Sequence, residues 1–211
     1  IAAVLTTFVM GALSDKLKNR KMFISVGYIL WGIVTAMFGF ITKENVANLF
    51  GLSDEAKILG CTVWFIILMD IVMTFMGSTS NDAAFNAWIT DITSSSNRAK
   101  TESILALLPV IAMVAVTAAF GALSGKFGYP VCFIGLGLIV TVCGIIGIFS
   151  IKESRTGVKT TASFGEALTY GFKPSVIKNN KSLYISLLCM GIFSVASQVF
   201  FPYLFIYVDH Y

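Results

Sequence analysis

Apolar residues occur in long runs along the chain, and short polar segments separate the runs. Four stretches contain no charged residue: 22–42, 103–125, 127–151 and 182–208. Each has at least the roughly 20 residues that an α-helix needs to cross a hydrocarbon core of about 30 Å. The pattern predicts membrane-spanning helices near residues 22–42, 62–91, 102–124, 129–151 and 182–206, with residues 1–11 as part of another helix.

Composition supports this pattern. Of the 211 residues, 56% are hydrophobic and only 12% are charged, whereas a soluble domain has about 25% charged residues. The four cysteines form no Cys-x-x-Cys pair, and the single histidine, His210, lies at the end of the sequence. Neither a zinc site nor a His-dependent hydrolase motif is therefore indicated. The sequence predicts an all-α polytopic membrane protein that is not an enzyme and has no metal or cofactor.

The basic residues are distributed unevenly between the two ends of the predicted helices. If the helices alternate in direction, twelve of the fifteen Lys and Arg residues fall on one face, and only Lys43, Lys57 and Lys126 fall on the other. The positive-inside rule assigns the first face to the cytoplasm, with loops 14–21, 92–101 and 152–181. This distribution also explains the net charge of +4 without a nucleic-acid partner. We expect a multi-pass protein of the plasma membrane that contacts lipid and a small solute.

The most polar segment lies between the last two predicted helices. It holds six of the fifteen basic residues and a run rich in Thr, Ser and Gly, which is typical of a linker. We therefore expect three parts: an amino-terminal helical half at 1–151, a cytoplasmic inter-domain linker at 152–181, and the first helix of a carboxy-terminal half at 182–211.

The first polar loop carries a recognisable motif. Gly11, Leu13, Ser14 and Asp15 are followed by a basic cluster that includes Arg20. This segment resembles the signature loop between the second and third helices of the major facilitator superfamily. The resemblance implies a lock at the cytoplasmic side of a carrier, for which the candidates are Gly11, Asp15, Arg20, Asp91 and Arg98. The alternative is a solvated loop that only obeys the charge rule.

The resemblance extends along the chain. If Gly11 lies in the second helix of the superfamily, the later apolar segments correspond to its third to seventh helices. Helix 1 and helices 8–12 of the expected twelve are then missing from this sequence, and we expect them as partners within the same protein. Weak similarity between residues 11–23 and 121–133, which have opposite predicted orientations, is typical of the inverted repeats of secondary transporters.

One predicted helix contains a carboxylate far from its ends. Asp82 lies nine residues before Asp91, and at ~1.5 Å per residue this corresponds to a depth of about 13.5 Å. An ionisable side chain at that depth is a functional candidate. Polar and aromatic residues surround it at helical spacing, which gives these candidates for binding the solute or its coupling ion: Asp82, Ser78, Asn81, Asn86, Phe85, Trp88 and, on the last helix, Gln198. The alternative for Asp82 is a structural role, bonded to Ser or Asn of a neighbouring helix.

Residues 82–91 are also similar to the fourth helix of the glycoside, pentoside and hexuronide cation symporters. In that family an Asp, with a Phe three residues later, contributes to sugar and cation binding, and Asp82 and Phe85 match this pattern. The resemblance implies transport of a small polar solute, such as a sugar, coupled to H⁺ or Na⁺. Two alternatives remain at this point: an exporter of drugs or metabolites, and a carrier-like scaffold or sensor that does not transport.

Overall fold

The computed structural model of the protein describes residues 2–17, 19–152, 165 and 169–210, and within these residues there is no strand. Contacts divide the chain into two units, Ile1–Thr161 and Ala162–Tyr211. The division falls inside the segment that the sequence predicts as a linker, most of which lies outside the described residues. Lys18, Arg155 and Lys159, which contributed to the topology prediction, also lie outside them.

Two helices joined by a tight connection begin the first unit: α1, Ala2–Leu17, and α2, Arg20–Phe38. Asn19 caps α2, because its side-chain oxygen accepts a hydrogen bond from the backbone N–H of Met22 at 3.1 Å. The helix ends four residues earlier than predicted. A turn follows Phe38 instead, and the N–H of Gly39 bonds back to the carbonyl of Ala36 at 3.0 Å.

A short helix that the hydrophobic pattern did not predict follows: α3, Lys43–Phe50. Thr42 caps its start by accepting from the N–H of Asn45 at 3.2 Å. Gly51 ends it in the left-handed conformation, with φ at 61°. A Thr before the helix and a Gly after it are ordinary capping signals, so this element was readable from the sequence. The hydrophobic pattern did not indicate α3 because polar residues interrupt the apolar ones in this segment.

The longest uninterrupted apolar helix is α4, Glu55–Ile92. It begins seven residues earlier than predicted, because Asp54 caps it by accepting from the N–H of Ala56 at 3.1 Å. Its middle, Ser78–Phe85, is a π-helix rather than an α-helix. The N–H of Asn86 accordingly bonds the carbonyl of Asn81, five residues earlier.

Hydroxyl side chains stabilise the entry into this π segment. Thr79 donates to the carbonyl of Phe75 at 2.7 Å, and Ser80 donates to the carbonyl of Met76 at 2.8 Å. Side chains that bond a carbonyl four residues back compete with the regular backbone ladder. They also satisfy polar groups that the apolar bilayer cannot.

Residues Arg98–Ser150 form two helices separated by a break at Gly128. We name them α5, residues 98–127, and α6, residues 129–150. Gly128 has φ 78° and ψ 163°, a conformation open to glycine and rarely to other residues. The two predicted helices at 102–124 and 129–151 match this arrangement. The rings of Phe120 and Phe133, one from each helix, meet edge to face with centroids 5.6 Å apart.

Glycines bring α2 and α6 into close contact. A Cβ atom built on Gly137 would lie 2.5 Å from the backbone nitrogen of Ala36, and one on Gly144 would lie 2.7 Å from that of Ile29. Neither position can therefore accept a side chain without moving a backbone. Membrane helices pack closely through small residues in this way, because burial of apolar surface does not drive them together in lipid.

The second unit begins, in its described part, with a 3₁₀ turn at Tyr170–Phe172 and the short helix α7, Pro174–Asn179. The long helix α8, Lys181–His210, follows. The hydroxyl of Tyr184 donates to the carbonyl of Gly171 at 2.5 Å. This bond holds the 3₁₀ turn beside the first turn of α8.

Four helical stretches in the described part of the chain are long and apolar enough to cross a membrane: Arg20–Phe38, Glu55–Ile92, Arg98–Ser150 and Lys181–Phe200. Large apolar side chains point outward from them; Trp64 is 71% exposed and Phe149 is 83% exposed. Such surfaces require an apolar surrounding. The prediction of an all-α polytopic membrane protein is confirmed.

Candidate functional site

A cavity of about 260 Å³ lies between α2 and the π segment of α4. Its lining combines apolar, hydroxyl, amide and carboxylate side chains: Trp31, Met73, Thr74, Gly77, Ser78, Asn81 and Asp82. Three of the predicted binding residues, Ser78, Asn81 and Asp82, are among them. The cavity therefore brings together three of the residues that the sequence predicts for binding a solute or its coupling ion.

A chain of hydrogen bonds leads from α2 to the carboxylate. The hydroxyl of Tyr28 donates to the side-chain oxygen of Asn81 at 3.0 Å, and the side-chain amide of Asn81 donates to Asp82 Oδ1 at 3.0 Å. The Tyr28 ring also meets Trp31 edge to face, with centroids 5.5 Å apart. Asn81 is thus oriented from both sides, so its amide can respond to any change in the charge of Asp82.

The Asp82 side chain is exposed. Within the described residues it forms no ion pair, and its hydrogen-bond partner is Asn81 of the same helix rather than a residue of a neighbouring helix. The structural alternative, in which a Ser or Asn of another helix holds a buried Asp82, is not the arrangement found. An uncompensated carboxylate beside a cavity at mid-helix is suited to a cation or to a polar solute.

The other three candidates on α4 do not line this cavity. Asn86 donates to the backbone carbonyl of Asp82 at 3.2 Å, and Trp88 donates through its indole N–H to the carbonyl of Lys152 at 3.1 Å. Phe85 lines a second, smaller cavity of about 180 Å³ on the side of α6. Thr74, Ser78 and Asp82 keep the predicted spacing of four along the cavity, and Asn86, the next position in that series, follows the end of the π segment.

The aromatic ring of the cavity comes from α2 instead. Trp31 was not a candidate, since the hydrophobic pattern assigns it to an ordinary apolar run. It reaches the cavity because Gly77 leaves room; a Cβ atom built on Gly77 would lie 3.1 Å from the Trp31 ring. The signal available in the sequence was weak: Tyr28 and Trp31 are three residues apart on one helix face.

Three of the five residues predicted for a cytoplasmic lock are joined by ion pairs. The Arg20 guanidinium pairs with Asp15 at 2.7 Å and with Asp91 at 2.8 Å. Arg20, the first residue of α2, therefore connects the last turn of α1 with the end of α4. Its side chain is 18% exposed, against 25% for Asp91 and 57% for Asp15, so the pair with Asp91 is the better shielded from water.

The other two members of the predicted lock lie outside this cluster. Arg98 forms no ion pair with the described residues and instead donates to the carbonyl of Thr90 at 2.9 Å. A Cβ atom built on Gly11 would meet no atom of the described residues within 4 Å. The part of Gly11 in a cytoplasmic lock stays a prediction.

Two further candidates concern ligands. Gln198 lies exposed on α8 in the second unit, and its role in binding stays a prediction. Among the described residues, no group of three His, Cys, Asp or Glu side chains lies close enough together to hold a metal ion.

The outward apolar helices, the cavity with its carboxylate and amide, and the charged cluster near the helix ends define an integral membrane protein with a candidate binding site. The sequence profile of the Major Facilitator Superfamily matches residues 1–211. The chain belongs to this superfamily of membrane transporters. No curated protein and no solved structure matches the chain. The narrower resemblance to the glycoside, pentoside and hexuronide symporters is not confirmed by the superfamily match.

Proposed function

We propose that the protein is a secondary active transporter that moves a small polar solute, with a sugar as the first candidate, together with H⁺ or Na⁺. The observation that carries this proposal is the exposed carboxylate of Asp82. It lies in the π segment of a membrane-spanning helix, beside a cavity, and within the described part of the chain it accepts a hydrogen bond from the Asn81 amide. Irregular backbone at membrane depth is tolerated where it lines a cavity, and π segments are frequent at functional sites.

The chemistry of the cavity suits a hydroxylated solute. The Asn81 amide both donates and accepts hydrogen bonds, and the Trp31 ring offers a flat apolar surface for stacking. Ser78 adds a buried hydroxyl, 4% exposed. A volume of about 260 Å³ lies just below the range of small-molecule sites, which begins at about 300 Å³. We therefore assign a small solute to it rather than a large drug.

Coupling follows from the position of Asn81. While Asp82 is charged and empty, the Asn81 amide donates to it. When H⁺ or Na⁺ neutralises the carboxylate, the hydrogen bond from that amide N–H loses its charge assistance and weakens. The N–H then exchanges more readily to a solute hydroxyl. Binding of the cation thus prepares the site for the solute, and by thermodynamic linkage the solute strengthens binding of the cation.

The Arg20 cluster provides the cytoplasmic lock in this proposal. Its two ion pairs connect the start of α2 with the last turn of α1 and with the end of α4. We infer that these pairs form when the cytoplasmic side is closed and break when it opens. The excess of Lys and Arg supports a cytoplasmic location for this end. We infer a plasma-membrane protein whose two helical halves rock about the solute site.

Flux measurements with a matched pair of variants test the proposal. The full-length protein that contains this sequence is reconstituted in proteoliposomes, and solute-induced movement of H⁺ and of Na⁺ is recorded for a panel of sugars and other polar metabolites. Asp82→Asn is compared with Asp70→Asn, which removes a carboxylate from the same helix twelve residues away. We expect coupled flux to fall at least about tenfold in the Asp82 variant and to change less than about twofold in the Asp70 variant.

Each other result has a definite meaning. Full coupling in Asp82→Asn would contradict the proposed coupling site. Outward movement of solute against an imposed ion gradient would identify an exporter. Absence of flux for every solute, in a protein that is folded and correctly inserted, would favour a scaffold or sensor.

A further inference from the structure

A basic and aromatic surface lies at the start of the second unit. Lys173, Lys178 and Lys181 are all exposed, and the sequence contains no acidic residue between positions 167 and 208. None of the three lysines forms an ion pair with the residues that the structure describes. Their positive charge is thus not compensated by carboxylates nearby in the sequence.

The fold sets this surface beside the start of α8. Tyr184, in the first turn of α8, donates its hydroxyl to the carbonyl of Gly171. The 3₁₀ turn before α7 is therefore held level with the beginning of the long helix. Within that turn, Tyr170 is 59% exposed and Phe172 is 68% exposed.

The level of this turn corresponds to a membrane boundary. The charge-free stretch of α8 begins directly after Lys181, so the hydrocarbon region begins there as well. Aromatic rings concentrate at this boundary, and lysine side chains near it extend their ammonium groups toward the headgroups. The Lys173 ammonium, 6.0 Å from the Tyr170 ring centroid, shows the two residue types side by side.

We propose that the surface formed by Tyr170, Phe172, Lys173, Lys178 and Lys181 binds the headgroups of anionic phospholipids. The three ammonium groups attract the phosphates, and the two rings enter the boundary between headgroups and acyl chains. The partner is a membrane lipid rather than a soluble anion, because the surface is continuous with a membrane-spanning helix and presents apolar rings beside its charges. The proposal is independent of the transported solute and of Asp82.

Lipid titration of two charge-matched variants tests the proposal. The purified full-length protein in detergent is titrated with phosphatidylglycerol or phosphatidylcholine, and bound lipid is counted by native mass spectrometry. The first variant is Lys173→Gln/Lys178→Gln/Lys181→Gln. The control, Lys43→Gln/Lys57→Gln/Lys126→Gln, removes the same charge elsewhere in the chain. Each lysine near an anionic surface contributes about 1 kcal/mol, or roughly fivefold.

We expect affinity for phosphatidylglycerol to fall on the order of a hundredfold in the first variant and less than about threefold in the control. Binding of phosphatidylcholine stays unchanged. An equal loss in both variants would overturn the proposal, because it would reflect net charge alone. Displacement of the lipid by inorganic phosphate at similar concentration would also overturn it and indicate a soluble-anion site.

A second variant covers the possibility that the triple variant does not fold. Lys178→Gln alone removes one charge from an exposed position on α7. It is expected to weaken phosphatidylglycerol binding about fivefold, and an unchanged affinity in this folded variant would contradict the proposal.

Discussion

Helix α2 has two sides that pack in opposite ways. On the side of α6, glycines allow backbone to touch backbone, and a Cβ atom at Gly137 would lie 2.5 Å from a nitrogen of α2. On the side of α4, a cavity of about 260 Å³ separates parts of the two helices, and Tyr28 and Arg20 contribute polar contacts. At these glycines the first interface leaves no space for a side chain, whereas the second combines one close approach, of Gly27 to Ser80, with a cavity and exchangeable polar partners.

The side of α2 that faces α6 thus serves as scaffold, and the side that faces α4 contributes to the candidate site. A closely packed backbone interface fixes the position of α2 and resists small movements. Hydrogen bonds and ion pairs at the other interface can instead be exchanged for bonds to a solute or to water at small net change in free energy. A carrier needs both properties, because its site must change while the surrounding helices keep their relative positions.

The largest expected effect comes from breaking the glycine interface. Gly137→Leu places a side chain against the backbone of α2, and overpacking of this kind lowers stability by about 3 kcal/mol. The thermal unfolding midpoint of the purified full-length protein measures it. Gly121→Leu is the matched control, since a Cβ atom at Gly121 meets nothing within 4 Å. Equal midpoints for the two variants would contradict the close packing described here.

A smaller effect is expected from the charged end of the other interface. Asp91→Asn removes the better shielded partner of Arg20 and should lower stability by about 1–2 kcal/mol. Asp15→Asn removes a partner that is 57% exposed and should change stability by less than about 1 kcal/mol. Unfolding midpoints of both variants give the comparison. If Asp15→Asn proved the more damaging, the shielded pair would not be the main contact of Arg20.

The smallest effect on stability is expected within the cavity. Tyr28→Phe removes the hydroxyl that orients Asn81 and keeps the ring, so the solute affinity should fall about fivefold. The folded protein should lose less than about 1 kcal/mol. The KM for the solute identified by flux measurement is the readout, and Tyr129→Phe, at a residue that is 66% exposed, is the control. A similar KM in both variants would show that Asn81 needs no support from α2.

Much of the fold was predictable from the hydrophobic pattern, because each helix that crosses the bilayer needs a run of roughly 20 apolar residues. The two helices on either side of Gly128 and the long helix α8 were predicted within a few residues. Cap residues set the boundaries that differed: Asp54 extends α4 toward its start, and Thr42 with Gly51 defines α3. These capping signals are short and polar, so the lengths of the apolar runs do not reveal them.

Sequence reasoning could name candidate site residues one at a time, but it could not predict which residues of different helices meet. Asp82 was identified because a carboxylate at mid-helix is rare, and the Asp15, Arg20 and Asp91 contacts agree with the motif. The aromatic partners were predicted to be Phe85 and Trp88, on the assumption of a regular α-helix. The π segment changes the angular positions beyond it, and Trp31 comes from another helix. Neither fact follows from the spacing of residues in one segment.

The π segment also has a consequence for insertions and deletions. One residue of an α-helix corresponds to about 100° of rotation and ~1.5 Å of rise. Losing one residue from a regular part of α4 would turn Asp91 away from Arg20 by that angle. Within Ser78–Phe85 the surplus of backbone can instead absorb the loss, since each hydrogen bond there already spans one residue more than in an α-helix. The segment that carries the candidate site is thus the stretch of α4 where the chain can change length while its two ends keep their orientation.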